Sequence, residues 1–294
     1  MSGADETAVP AAREPDANAR LARELAHELA HELRALTPAR VGLERVGASL
    51  ATRAALEFTL AHAQARDAVH AALGVATMLA ALRERGLTAV AVKSAASDRA
   101  EYLRRPDLGR RLSAASAERL AASAEEARVS GPSAEENREQ AAAAVISIIV
   151  ADGLSALAAE RHALPLLDAL LPLLRTESAE KQSGWTIAPV VVAEQARVAL
   201  GDEIGAALGA DVTVMLIGER PGLSAHDSLG AYVTWAPRVG RTDAERNCVS
   251  NIRTEGLDYA AAAARIAWTV REGRRMGLTG VGLRELSRVA GLNG

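Results

Sequence analysis

A short apolar run at residues 212–217, which stops at a glycine, sets the tightest limit on how this chain folds. The run contains no charge and is rich in β-branched and aliphatic residues, which predicts a strand buried on both faces, as in a parallel sheet. Gly218, Pro221 and Gly222 then predict a turn at the carboxyl end of that strand. Because ligands bind at this end in open α/β sheets, Glu219 is a candidate to accept hydrogen bonds from a ligand. The alternative is a turn in which the charge of Glu219 is only solvated.

The chain beyond residue 86 alternates strand-like and helix-like segments. The repeating units are about 20–30 residues long, which is typical of β–α–β connections in a parallel sheet. The sequence therefore predicts an α/β fold with a doubly wound, mostly parallel, Rossmann-like sheet. Neither G-x-G-x-x-G nor G-x-x-x-x-G-K-[ST] occurs, so the fingerprints of dinucleotide and P-loop sites are missing. The other predicted strands are 88–92, 145–150, 186–192 and 231–235.

Composition divides the chain into a disordered tail at 1–19, a helical N-terminal region at 20–85 and an α/β domain at 86–294. The tail has almost no large apolar side chain, so it cannot bury enough surface to offset the entropy lost on ordering. The leucines that follow recur at three- or four-residue steps, which predicts an amphipathic helix that needs a partner surface. These leucines are Leu21, Leu25, Leu29, Leu33 and Leu36, and the core candidates of the helical region are Phe58, Leu60, Met78, Leu79 and Leu82.

The first predicted helix contains His27-Glu28-Leu29-Ala30-His31, the H-E-x-x-H spacing that puts two zinc-binding imidazoles on one helix face. We reject a zinc site because no histidine-rich segment downstream supplies a third ligand, and we assign both histidines to the solvated face. His162 and His226 stand alone, without metal-ligand spacing around them. The sequence therefore predicts no metal site.

Charge and cysteine content exclude several classes of function. The net charge of −3 gives no basic field for nucleic acid. The arginine cluster at 104–111 lacks interleaved aromatic residues, so it favours a salt-bridged interface or a contact to the side chains of a ligand. The single cysteine, Cys248, allows no intrachain disulfide and fits a reducing cytosol. No apolar run approaches ~20 residues, so we predict no membrane span.

No catalytic constellation is marked by spacing. Cys248 has no histidine in its local block, and on residue type alone it is a small buried hydrophobe. The segment 152–155 follows a predicted strand and opens a predicted helix, a place where backbone N–H groups can meet an anion or an amide. The commoner meaning of its Asp-Gly pair is a tight turn between strand and helix.

Four blocks of this sequence, in the same order, resemble the small (light) subunit family of ethanolamine ammonia-lyase, an adenosylcobalamin-dependent enzyme. With weaker matches, the resemblance runs from about Pro38 to about Gly273. The chain departs from the family at 44–47, where a Gly-Arg-Ala-Gly-like turn is replaced by Glu-Arg-Val-Gly, so no role is carried over to that turn. The four blocks are 102–112 (YLRRPDLGRRL), 151–155 (ADGLS), 218–223 (GERPGL) and 248–252 (CVSNI).

The resemblance implies a partner and a cofactor. In this family the large (heavy) subunit is a TIM barrel with the substrate site, the small subunit covers its open end, and adenosylcobalamin lies in the interface of the hetero-oligomer. Family contacts to the cofactor fall on a valine, a glutamate and a cysteine, which match Val198, Glu219 and Cys248. His226 is not in the D-x-H-x-x-G pattern, so the cofactor should keep its own dimethylbenzimidazole on cobalt (base-on).

The resemblance also implies that the complex converts ethanolamine to acetaldehyde and ammonia, in the cytoplasm and within a bacterial microcompartment. This chain would be a subunit of the lyase without catalytic residues of its own. Two other functions stay open. One is a structural or adaptor protein of a metabolic compartment, which would bind partners but no cofactor. The other is a free-standing α/β enzyme acting on a nucleotide-like ligand, which would be active without a partner.

Overall fold

The structure is a computed structural model that describes residues 17–37, 40–41, 43, 45–46, 49–129, 144–180 and 184–284. The chain forms two compact units, Met1–His62 and Ala63–Gly294. Most of the tail predicted at 1–19 lies outside the described residues, and the first helix begins at Ala17. The three-part division predicted from composition stays a prediction.

The first unit contains helix α1 (Ala17–Leu36), the antiparallel pair β1 (Arg45–Val46) and β2 (Ser49–Leu50), and the beginning of helix α2 (Thr52–His70). The predicted leucine stripe lies on α1, where Leu21 is 56% exposed. Nothing described within this unit therefore covers the stripe.

The prediction that Phe58 and Leu60 are core residues is wrong, because these side chains are 47% and 60% exposed. The buried positions of α2 are held by alanines, Ala61 and Ala68. Small side chains let a neighbouring element approach closely, so in this alanine-rich helix residue size does not mark the buried face. Met78, which was also predicted to be in the core, is buried.

The second unit is built on a seven-stranded sheet with the order β3-β6-β4-β7-β8-β9, in which β5 pairs with the beginning of β4. The pairings among β3, β6, β4 and β7 are parallel, as is that of β5 with β4, whereas β7–β8 and β8–β9 are antiparallel. The predicted doubly wound, mostly parallel α/β fold is confirmed. The strands are β3 (Ala89–Lys93), β4 (Ala144–Ala151), β5 (Trp185–Ile187), β6 (Val190–Glu194), β7 (Val212–Gly218), β8 (Leu229–Trp235) and β9 (Arg246–Ile252).

Two strands differ from the prediction. The segment predicted as one strand at 186–192 is divided into β5 and β6 at Ala188-Pro189, since proline has no N–H to donate to a ladder. Strand β9 was not predicted, because Arg246, Asn247, Ser250 and Asn251 interrupt its apolar pattern.

Helices cover the sheet in two layers. Helices α3 (Val75–Glu84), α6 (Ala156–Glu180) and α8 (Tyr259–Met276) pack on one face, and α5 (Ala114–Val129) and α7 (Leu200–Ala207) pack on the other. The short helix α4 (Arg99–Arg104) follows β3. Alternate residues of β4 enter the two cores, Ile148 on the α6 side and Ile149 on the α7 side, which explains why the strand carries no charge.

Helix α8 begins at Tyr259 rather than at the predicted residue 254, because Asp258 caps it by accepting a hydrogen bond from the N–H of Ala261 at 2.8 Å. The helix ends at Gly277, whose positive φ of 68° closes the last turn. Of the short helix predicted near 283–290, all but the beginning lies outside the described residues.

Strand β9 is the last strand of the sheet, and its outer side is partly occupied. Leu257 bridges to Ile252 and donates its N–H to the carbonyl of Asn251 at 2.8 Å. At the other end of the strand, Gly280 donates its N–H to the side-chain oxygen of Asn247 at 2.6 Å.

Candidate functional site

Four loops gather at the carboxyl edge of the parallel strands. Segments 152–155, 195–199 and 219–228 follow β4, β6 and β7 directly. Strand β9 runs in the same direction as β7, because two antiparallel pairings separate them, so the segment from residue 253 begins at this edge too. This is the edge at which open α/β sheets bind ligands.

Glu219 is half-buried at this edge, and one of its carboxylate oxygens is held by the protein. Oε2 accepts a hydrogen bond from the hydroxyl of Ser228 and another from the N–H of Asn251 at 3.2 Å. The backbone N–H of Glu219 donates to the carbonyl of Ser228 at 2.9 Å, which closes the 219–228 loop. Within the described residues Oε1 accepts no hydrogen bond, so this oxygen remains able to accept one from a ligand.

Cys248 lies directly opposite Tyr232, which in turn lies opposite Met215 of β7. Both side chains are half-buried, and the Tyr232 hydroxyl is close enough to the thiol to influence its pKa. Burial raises the pKa of the Cys248 thiol, the charge of Glu219 raises it further, and the Tyr232 hydroxyl lowers it. The Cys248 thiol is therefore neutral and a poor nucleophile at neutral pH.

Val198 reaches the same face of the sheet from β6. It is half-buried and packs, as Tyr232 does, against the core layer beneath α5 and α7. The structure thus places Glu219 close to Tyr232 and Cys248, and Val198 against the same core layer as Tyr232. Whether these residues contact a cofactor stays a prediction at this point.

Three residues that support the site were missed from the sequence: Ser228, Tyr232 and Asn251. Ser228 and Asn251 bind Glu219 from the ends of other strands, and such pairings depend on a register that the sequence does not show. The sequence did place Tyr232 inside a predicted strand. Its position opposite Cys248 required the unpredicted strand β9.

The 152–155 segment forms a tight turn between strand and helix, and its amides are used within the protein. The N–H of Leu154 donates to the carbonyl of Gly218 at 2.9 Å, and that of Ser155 to the carbonyl of Asp152 at 3.1 Å. Of the two interpretations of this segment, the tight turn describes the observed bonds.

In the described part of the chain, no group of three or more histidine, cysteine, aspartate or glutamate side chains is arranged to hold a metal ion. No single described helix is long and apolar enough to cross a membrane, although the bent pair Thr52–His70 and Val75–Glu84 meets that requirement of length and composition when taken together.

The fold and the edge geometry define a class: an α/β domain that presents, at the carboxyl edge of its sheet, a carboxylate with one open oxygen beside a neutral thiol and a phenol. The family model of the ethanolamine ammonia-lyase light chain (EutC) matches residues 27–284. The chain belongs to this family.

Individual relatives agree with the family match. The chain is 53% identical over 262 residues to the ethanolamine ammonia-lyase small subunit of Azotobacter vinelandii, covering 89% of this chain and 90% of the relative. It is 51% identical over 266 residues to that of Pseudomonas aeruginosa, covering 89% of each. It is 52% identical over 253 residues to that of Xanthomonas campestris pv. campestris, covering 86% of each. The resemblance read from the four sequence blocks is confirmed, and so is the expectation that the chain belongs to a lyase.

Proposed function

We propose that this chain is the small subunit of an adenosylcobalamin-dependent ethanolamine ammonia-lyase and helps to hold the cofactor at the interface with the large subunit. The complex would convert ethanolamine to acetaldehyde and ammonia. The observation that carries the proposal is the carboxylate of Glu219, which lies in a matched block and has one oxygen held and the other open. A carboxylate prepared in this way suits a ligand that presents amide N–H groups.

The side chains at the edge fit the cofactor by their chemistry. Glu219 Oε1 would accept from an amide of the corrin ring, and Val198 and Cys248 would pack on its apolar surface. Adenosylcobalamin, when bound, supplies radical chemistry through homolysis of its Co–C bond. The residues of this chain would bind and orient it, and Tyr232 would hold the Cys248 thiol in place.

We further propose that the cofactor binds base-on, with its own dimethylbenzimidazole on cobalt. The sequence around His226 lacks the D-x-H-x-x-G pattern of proteins that replace this base with histidine. The backbone carbonyl of His226 accepts a hydrogen bond from Ser155 at 3.0 Å, and this anchors the residue in the loop that closes on Glu219.

The proposed partner is the large subunit, in a hetero-oligomer located in the cytoplasm and within a bacterial microcompartment. The support for the partner is the name that the relatives share, since a small subunit requires a larger one. An adaptor without cofactor and a free-standing enzyme are less well supported. An adaptor does not account for a carboxylate with one oxygen open, and a free-standing enzyme is less well supported because the raised pKa of the Cys248 thiol makes it a poor nucleophile.

A spectroscopic titration tests the proposal. The purified chain is mixed with adenosylcobalamin with and without the large subunit, and the visible spectrum and the release of ammonia from ethanolamine are followed. We expect spectral change and ammonia only with both subunits. Ammonia release by this chain alone would support the free-standing enzyme, and assembly without any cofactor binding would support the adaptor.

A further inference from the structure

We propose that the turn at 152–155 is a positioning element that fixes two segments of the candidate site at once, the 195–198 segment and the 218–228 loop. Asp152 is its principal positioning residue. The inference rests on the proposed function in one respect, namely that these segments carry the cofactor contacts Val198 and Glu219.

Asp152 holds the 195–198 segment with both of its oxygens. The side chain is 6% exposed. Oδ1 accepts from the N–H of Ala196 at 3.1 Å, and Oδ2 accepts from the N–H of Gln195 at 2.8 Å and from Nη1 of Arg99 at 3.2 Å. Burial raises the pKa of Asp152, but all three partners are donors that favour its ionised form, and an amide in its place would turn N–H groups toward some of them.

The 195–198 segment needs this support because its backbone is strained. Gln195 has a positive φ of 55°, a conformation that side chains other than glycine rarely adopt. Such a residue keeps its geometry only where its surroundings impose it. The bonds from Asp152 to the N–H of Gln195 and to that of the next residue provide this constraint two residues before Val198.

A buried tyrosine fixes the same segment from its other side. The hydroxyl of Tyr102 donates to the carbonyl of Ala196 at 2.9 Å, and two guanidinium groups lie over its ring. Arg99 lies 4.8 Å from the ring centroid and Arg197 lies 4.4 Å from it. Arg99 therefore connects the ring to Asp152, and Arg197 belongs to the segment itself.

The other end of the turn fixes the loop that begins at Gly218. Gly153 has a positive φ of 54°, and a Cβ placed on it would collide with the carbonyl oxygen of Gly218. Leu154 donates its N–H to that same carbonyl at 2.9 Å. Farther along the loop, the hydroxyl of Ser155 donates to the carbonyl of His226 at 3.0 Å. Both ends of the loop that carries Glu219 thus rest on residues 153–155.

The first experiment replaces Asp152 by asparagine and compares it with Asp211→Asn. Asp211 is a matched control, because its carboxylate accepts the N–H of Val145 at 2.8 Å near the opposite end of the same strand, β4. Hydrogen exchange of the isolated chain is measured for the amides of 195–198. We expect exchange there to accelerate about tenfold or more in Asp152→Asn, as the loss of charge-assisted bonds predicts, and to be unchanged in the control.

The second measurement uses the complex with the large subunit. In Asp152→Asn, half-saturation should require about tenfold more adenosylcobalamin, with turnover at saturating cofactor within about twofold of the wild type, because the reacting groups are untouched. If Asp152 had a purely structural role, the substitution would instead lower the yield of assembled complex. The complex that did assemble would then bind adenosylcobalamin as tightly as the wild type.

The 218–228 loop is tested separately with Ser155→Ala, which removes one hydroxyl and does not depend on the stability of Asp152→Asn. Ser116→Ala is the control, because Ser116 is also buried and its hydroxyl accepts the N–H of Lys93 at 2.8 Å. We expect faster exchange of the Glu219 amide in Ser155→Ala only.

Unchanged exchange in 195–198 for Asp152→Asn, or in the loop for Ser155→Ala, would overturn the inference. A wild-type complex that binds no adenosylcobalamin would overturn the proposed function alone, since the exchange data on the isolated chain would still decide whether the turn positions the two segments.

Discussion

The parallel and antiparallel parts of the sheet are covered differently, and the candidate site lies where they meet. Strands β4 and β7 of the parallel part are buried on both faces beneath two layers of helices. In the antiparallel part, α8 covers one face of β8 and β9, while on the other face Tyr232 and Cys248 are half-buried and Ser250 is exposed. The difference teaches that the candidate site arises where one helical layer stops and strand residues become accessible.

The largest effect that follows from this comparison concerns stability. Ile148→Ala should lower the free energy of unfolding by about 2–5 kcal/mol, because Ile148 is fully buried between β4 and α6 and its truncation leaves a cavity. Ser250→Ala on the exposed face of β9 should change it by less than about 0.5 kcal/mol. Urea denaturation of both variants checks this. Similar losses in the two would break the comparison.

The next effect concerns the junction itself. Glu219→Ala should weaken adenosylcobalamin binding by about 10- to 100-fold, since a hydrogen bond to a charged group contributes about 1.5–3 kcal/mol. Glu219→Gln retains an acceptor and should lose less. The measurement is a cofactor titration of the complex, with turnover at saturation measured alongside.

Two outcomes would count against this assignment of Glu219. Normal binding with much slower turnover would place the residue in the chemical step rather than in binding. If neither quantity changes, the alternative of a solvated turn is correct.

The smallest effect concerns contacts among the half-buried side chains. Cys248 is the single cysteine, so alkylation by iodoacetamide reports on it alone. The Tyr232 hydroxyl lowers the thiol pKa, so in Tyr232→Phe the pKa should rise and alkylation at fixed pH should slow, by less than about tenfold. Glu219→Gln removes a charge that raises the pKa and should have the opposite effect.

The alkylation rate of each protein is divided by its rate in urea, where the chain is unfolded and Tyr232 and Glu219 no longer lie beside Cys248. Equal normalised rates in both variants and the wild type would show that neither Tyr232 nor Glu219 changes the pKa of the Cys248 thiol.

The same comparison explains which strands could be predicted. Strands β4 and β7 are buried on both faces, so their sequences read as continuous apolar runs that predict a strand directly. Strand β9 is covered on one face only, and polar residues such as Arg246 and Asn251 interrupt it. Strand β9 is stabilised by contacts with β8 rather than with its neighbours along the chain. The strand propensities of its own residues therefore do not predict it.

The antiparallel direction of β8 relative to β7 could have been predicted from the sequence. Only ten residues separate Gly218 from Leu229, and parallel neighbours need a crossover of about a dozen or more. The loop also contains Gly and Pro rather than a helical pattern, which favours an antiparallel return.

The central residues of the candidate site could be predicted from the sequence, but the residues that hold them in place could not. Glu219 follows a recognisable strand and lies in a matched block. Ser228 and Asn251, which hold its carboxylate, are brought to it by strand register. The role of Asp152 could not be predicted either, because its partners Gln195 and Ala196 lie more than forty residues away along the chain.

The occupied outer side of β9 determines how a second protein can reach Cys248. Leu257 takes the pairing position beside Ile252, and Gly280 bonds the side chain of Asn247, which leaves the four residues 248–251 between these contacts. So short a stretch gives an incoming strand too little backbone to pair with, and edge-to-edge aggregation through this side is disfavoured as well. A partner that approached from above the plane of the sheet would instead meet Tyr232 and Cys248 by their side chains.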